Sequence, residues 1–158
     1  MSVPAVPERL NAAEALVDVH VAEGRGARPA ILCGERTVTY GDLHEGVSRF
    51  AGVLGDLGVR MEERVAILLP DTPEFAFTFF GSMKAGAVAI PLNTLLAPRE
   101  YEYLLNDSRA RVLVVHASLL DRIEAVRANL RYLEHTLVAG GGAAGGGAAG
   151  GAPAAAAA

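Results

Sequence analysis

The chain has 158 residues, 51% of them hydrophobic, and a formal net charge of −4 with acidic and basic side chains interspersed. That balance excludes a basic nucleic-acid footprint. A single cysteine, Cys33, excludes an intrachain disulfide and any multi-cysteine metal site. From Gly140 onward only Gly, Ala and Pro occur, so 139 residues (158 − 19) remain to build a core. That is enough for one domain and too few for two.

The first ten residues hold two prolines and the charges Glu8 and Arg9, which cannot form the apolar core of a signal peptide. The most apolar stretch, Phe75 to Met83, is far shorter than the roughly 20 residues a membrane span needs. The expectation is a soluble, cytoplasmic chain with no membrane or nucleic-acid partner. Its oligomeric state is left unspecified.

Asn11-Ala12-Ala13-Glu14 has the form of a capping box that starts a helix. Leu16, Val17, His20 and Val21 are expected to share its inner face, and Gly24 to stop it. Two strand-like runs follow, at 30–33 and 36–39, split by Gly34-Glu35 as in a tight hairpin. Thr39-Tyr40-Gly41-Asp42 repeats the capping-box pattern. It opens a helix whose apolar stripe runs Leu43, Val47, Phe50, Ala51, Leu54, Leu57 and ends at Gly58.

From there strands and helices alternate. After Arg64 the run 64–69 is continuously apolar, as in a parallel strand buried on both faces; 87–92 is the next strand, 111–115 a third buried one, and 135–138 a candidate fourth. Thr72 caps a helix with Pro73 at its first position, and no charge intervenes between Glu74 and Lys84, so that helix is expected to be deeply buried. Pro98 opens a helix with Tyr101, Leu104 and Leu105 inward. Ser118 caps another with Leu119, Ile123, Val126 and Leu130 inward. The fold class expected is α/β: a partial doubly wound parallel sheet with helices on both faces, preceded by a helix and a β-hairpin. The domain spans 1–139, and the Gly/Ala/Pro tail over 140–158 has the composition of a disordered segment.

Val38-Thr39-Tyr40-Gly41-Asp42-Leu43 resembles the "LTYxEL" element of the adenylate-forming superfamily. Met83-Lys84-Ala85-Gly86-Ala87-Val88-Ala89-Ile90-Pro91-Leu92-Asn93 is similar to its "KAGAVxVPLN" element. The two stand in the expected order, on the expected helix and strand. A narrower resemblance, to benzoate–CoA ligases, covers nearly all of 11–140. It is carried by Asn11-Ala12-Ala13, Val21-Ala22-Glu23-Gly24-Arg25-Gly26, Asn93-Thr94-Leu95-Leu96 and Asn106-Asp107-Ser108-Arg109-Ala110.

This resemblance implies an ATP-dependent, AMP-forming acid–CoA ligase acting on an aryl or acyl carboxylate, with ATP, Mg²⁺ and CoA as cofactors of the full-length parent. Such chemistry needs backbone N–H groups and a cation on the phosphates, and a metal ion on the leaving pyrophosphate. The family supplies its phosphate loop, ribose-binding acid and catalytic lysine downstream, and nothing in this chain matches them. The resemblance therefore implies an N-terminal fragment without catalytic residues, inactive alone and needing no cofactor. A truncated or frameshifted frame, or undetermined tail residues, would account for the Gly/Ala ending. Two rivals remain. One is a non-enzymatic α/β interaction module that binds a partner through an open sheet edge beside the last strand. The other is a small flavodoxin-like nucleotide binder, disfavoured because 69–73 holds no glycine.

Asn93 and Thr94, just past the carboxyl end of a parallel strand, are the candidate cofactor-binding residues, against a plain turn role. Gly24-Arg25-Gly26 reads as a helix stop rather than a phosphate turn, and Lys84 as a helix-dipole cation rather than a catalytic group. The four histidines show no metal-binding spacing. Cys33 has no partner to activate it. The phenylalanines Phe75, Phe79 and Phe80 read as core rather than as an aromatic-substrate pocket.

Overall fold

A computed structural model of the chain describes residues 7–8, 10–140 and 154–155. Asn11 opens the fold: its Oδ1 accepts the N–H of Ala13 at 3.0 Å. The segment it starts is not α-helical throughout, because Glu14–Asp18 form a π-helical turn before the one-turn helix α1 (Val19–Ala22). A π-turn winds more slowly than 3.6 residues per turn. It therefore breaks the inner face expected from the sequence. Val17 is buried beside Ala13, but Leu16 is 57% exposed and Val21 is also exposed. His20 packs as expected, stacked on Tyr40 with ring centroids 3.8 Å apart.

Strands β1 (Pro29–Cys33) and β2 (Arg36–Thr39) form the antiparallel hairpin, with Gly34 at positive φ as its turn requires. Helix α2 (Tyr40–Asp56) carries the complete capping box. Thr39 Oγ1 accepts from Asp42 N, and the Asp42 carboxylate accepts from Thr39 N at 2.9 Å. Its stripe of Leu43, Val47, Phe50 and Leu54 is buried.

The main sheet then builds by alternation: β3 (Arg64–Leu68), α3 (Pro73–Lys84), β4 (Val88–Pro91), α4 (Pro98–Asp107), β5 (Val112–His116), α5 (Leu120–Glu124) and β6 (His135–Ala139). Its order is β4-β3-β5-β6, all parallel, as the apolar runs imply. Both faces of the central strands are covered. Val65, Ile67, Val112 and Val114 pack under α2 and α3 with Phe50 and Leu54. Ala66, Leu68, Leu113 and Val115 pack against Tyr101, Leu105 and Ile123 from α4 and α5. A third cluster joins Ala13, Val17, Val38, Leu43 and Val47 beneath the hairpin. Among the described residues every buried side-chain polar atom has a hydrogen-bond partner.

Several local expectations fail for tertiary reasons. Thr72 occupies the N-cap position of α3 but makes no capping bond through its side chain. No residue of α3 is exposed, yet only Pro73, Thr78, Gly81 and Ser82 are fully buried. The single helix expected after Ser118 is broken into a 3-10 turn (Ala117–Leu119), the short α5 and a second 3-10 turn (Arg127–Asn129). Ser118 is not its cap: its own N–H is held by His116 Nδ1. Ile123 and Val126 still reach the core. The tail expected to be unfolded lies outside the described residues, except Gly140 and the pair Ala154–Ala155. These two alanines form β7, antiparallel to Val138 and Leu137. The outer edge of β6, expected open, is thus partly paired by the chain itself.

Candidate functional site

Parallel strands release their loops at the carboxyl end, and open α/β sheets bind ligands beyond that end. Here β3 and β4 lie side by side, so the loops that follow them diverge and leave a cleft. It has a volume of about 460 Å³ and is lined by Leu69, Pro70 and Asp71 after β3, by Phe75 of α3, and by Pro91, Leu92, Asn93 and Thr94 at the end of β4. Asn93 and Thr94, the residues singled out from sequence, line it together.

Their loop is pinned from the opposite face of the sheet. The fully buried Tyr101 donates its hydroxyl to the Asn93 carbonyl at 2.8 Å. Arg122 of α5 reaches back to donate to the carbonyls of Thr94 (2.9 Å) and Leu96 (3.1 Å). Asn93 Oδ1 accepts the N–H of Leu95 at 2.9 Å, a local bond that fits a plain turn role. Among the described residues its side-chain nitrogen has no hydrogen-bond partner. One aromatic ring, Phe75, stands on the opposite wall; it stacks on Phe79 at 5.9 Å, and Phe79 meets Phe80 edge-on at 5.5 Å. All three rings are half-buried. Phe79 packs on the core as expected, whereas Phe75 also forms cleft wall.

The lining chemistry limits what fits. Asp71 is the one charged residue on the cleft, and no cation or glycine-rich loop faces it. A triphosphate with its metal ion therefore does not fit these residues. They suit an uncharged or apolar portion of a ligand. Among the described residues no group of three His, Cys, Asp or Glu is placed to hold a metal ion.

The other singled-out residues lie away from the cleft. Gly24, at positive φ, ends α1. Arg25 donates to His20 Nδ1 and pairs with Glu23. Lys84 sits in the last turn of α3 and bonds to the Asp18 carboxylate. Cys33 is half-buried and free. The apolar pattern of α4 marks Tyr101 as an inward residue and says nothing of its hydroxyl bond, and no pattern marks Arg122. A helix-borne arginine carries no local sign that it will cap a distant loop.

Comparison with known proteins agrees with this architecture. Residues 19–150 match the AMP-binding enzyme family. The 4-hydroxybenzoate–CoA/benzoate–CoA ligase of Rhodopseudomonas palustris (strain ATCC BAA-98 / CGA009) is 43% identical over 133 residues, covering 84% of this chain and 24% of that protein. The benzoate–CoA ligase of Thauera aromatica is 39% identical over 137 residues, covering 86% and 26%. Among solved structures, an anthranilate–CoA ligase in complex with anthranoyl-AMP aligns with a TM-score of 0.81 at 40% identity, covering 86% of this chain and 26% of that one. A benzoate–CoA ligase from Burkholderia xenovorans LB400 aligns with a TM-score of 0.74 at 32% identity, covering 83% and 26%. The chain thus spans about a quarter of the length of these relatives. With both motif segments in place on α2 and β4 and the sheet shared with solved ligases, the chain belongs to the AMP-binding enzyme family and is similar to benzoate– and hydroxybenzoate–CoA ligases over about a quarter of their length.

Proposed function

We propose that this chain supplies the N-terminal scaffold of an ATP-dependent, AMP-forming carboxylic acid–CoA ligase. The acid is benzoate or a related aryl carboxylate, converted with ATP and CoA to acyl-CoA, AMP and pyrophosphate. The observation that carries the reading is 39–43% identity to benzoate ligases throughout the folded unit. The chain's own contribution is positional. The sheet holds the β3 and β4 carboxyl ends rigid, and Asn93 and Thr94 offer polar contacts to an uncharged part of a substrate or cofactor. The groups that would hold phosphate, Mg²⁺ and ribose have no counterpart in this sequence. The 158 residues alone are therefore inactive, and the working enzyme is cytoplasmic. No helix among the described residues is long and apolar enough to cross a membrane.

Two measurements test the reading. The purified chain should show no benzoate-dependent ATP–pyrophosphate exchange above background; clear exchange would overturn the inactivity. A chimera carrying residues 11–139 in place of the matched segment of the R. palustris relative should keep benzoate-dependent exchange. A folded, soluble chimera without it would overturn the scaffold role.

A further inference from the structure

We infer that residues 11–22 form a strap that opens from the domain as a unit, and that the Asp18 carboxylate is the latch that keeps it shut. The strap's main chain is self-contained. Among the described residues its backbone hydrogen bonds outside the helical turns run from Ala15 N–H to Asn11 O, from Glu23 N–H to Val19 O, from Gly24 N–H to Val21 O and from Arg25 N–H to His20 O. The first main-chain bonds to the rest of the fold come after it, from Gly41 N–H to Gly26 O and from Tyr40 N–H to Arg28 O. Just before them stands Gly24, at φ +76 with open space where a Cβ would lie. Glycine adopts other backbone angles there at little cost, so this position is the hinge.

Little apolar surface holds the strap down. Within it only Ala13 and Val17 are buried, whereas α2 buries Leu43, Val47, Phe50 and Leu54. Apolar stabilisation scales with the area removed from water, so two small side chains grip weakly. Apart from the stack of His20 on Tyr40, the remaining hold is polar. At one end the Asn11 amide donates to the carbonyls of Met83 and Lys84. At the other, Asp18 takes Lys84 Nζ on both oxygens, at 3.0 and 2.7 Å, and meets His44 Nδ1 at 2.8 Å. These three side chains are partly buried, where charges are screened less than at the surface.

The turn between the two tethers is π-helical, a rare single-turn feature that recurs at functional sites. Segments with few buried apolar contacts open below the free energy of global unfolding. Opening this one uncovers Val38, Leu43 and Val47, on which Ala13 and Val17 pack. The two faces of the main sheet belong to other clusters and stay packed.

Native-state amide hydrogen exchange of the full chain, followed in sub-denaturing urea, tests this. Amides of 13–22 should be less protected than those of 65–68 and 112–115, and their opening should depend far less on urea. One shared protection and urea dependence would overturn the separate unit. Ile123→Val, on the far face of the sheet, should lower protection of 65–68 and 112–115 and leave 13–22 unchanged. A matching loss at 13–22 would mean that the strap opens only when the domain unfolds. Asp18→Asn and Lys84→Met should each lower protection of 13–22 by about ten-fold, with opening still nearly independent of urea. Glu14→Gln, which removes an exposed charge from the same strap, should behave like the unaltered chain. Unchanged protection in Asp18→Asn, or an equal loss in Glu14→Gln, would overturn the latch.

Discussion

Lys84 Nζ lies 2.7 Å from Asp18 Oδ2, joining the last residue of α3 to the π-helical turn at the start of the fold. Lys84 is the one lysine in the chain. His44 of α2 adds a second contact, Nδ1 to Asp18 Oδ1 at 2.8 Å. Nearby, the Asn11 side-chain amide donates to the carbonyls of Met83 and Lys84. Three segments distant in sequence are thereby held at one carboxylate.

Burial alone would raise the Asp18 carboxyl, but hydrogen bonds from Lys84 and His44, with their charges, outweigh it and hold the group below its ordinary value of 3.8. A folded value below the unfolded one means the carboxylate stabilises the fold above the ordinary range. That stability is lost as pH falls through the folded value. Asp18→Asn should cost about 1–2 kcal/mol at neutral pH, between the exposed and buried extremes for ion pairs. Urea titrations at descending pH should show this gap closing below pH 3.8. A gap that persists unchanged at low pH would assign the loss to something other than the charge.

Helices α2 and α3 cross through two glycines. A Cβ at Gly81 would sit 2.9 Å from the Val47 carbonyl oxygen and 2.8 Å from Phe50 Cδ1, while one at Gly46 would meet the Phe77 ring at 2.7 Å. Backbone cannot yield cheaply, whereas the half-buried Phe77 ring has room to shift. Gly81→Ala should therefore destabilise by about 1–3 kcal/mol. Gly46→Ala should cost less: both positions gain about 1 kcal/mol of helix propensity, but at Gly46 only a side-chain ring has to move. Denaturation midpoints that reverse this ranking would contradict the close crossing.

Tyr101→Phe removes one hydroxyl and leaves the Asn93 carbonyl without its 2.8 Å donor. The expected loss is about 1 kcal/mol. Amide exchange at Leu95 and Leu96 should quicken before the core strands change. Exchange confined to α4 would show that the hydroxyl does not hold the loop.

Arg111 gathers the amino end of the sheet. Its guanidinium donates to the Gly58 carbonyl (2.7 Å), to Glu63 (2.5 Å) and to Glu134 (2.8 Å). The Glu63 carboxyl is held low first by the backbone N–H of Arg60 and then by Arg111. Arg111→Ala should cost about 1 kcal/mol at low salt and less in molar salt, since exposed pairs are screened. Melting temperatures compared at the two ionic strengths check this; a salt-independent loss would point to the Gly58 contact alone.

The elements readable in the sequence are those whose causes are local. Thr39 and Asp42 form their capping box within four residues. Gly34 bends the hairpin, and apolar runs such as 65–68 foretold strands buried on both faces. The rule that loops leave a parallel sheet at its carboxyl end placed Asn93 and Thr94 beside the cleft without any contact being known. The failures have distant causes. Leu16 faces solvent because a π-turn displaces it, in a segment whose start is held to Met83 and Lys84 more than seventy residues away. The helix expected after Ser118 breaks up while Ile123 and Val126 still reach the core.

The sequence by itself determined the α/β rhythm, the family and the strand end to inspect, because periodicity, capping and motif order are properties of neighbouring residues. Only the tertiary structure decided that β3 and β4 lie side by side, that Phe75 faces the loop of Asn93, and that Tyr101 and Arg122 anchor it from the other face of the sheet. Those relations depend on strand order and helix crossing, which bring together side chains that no local pattern connects.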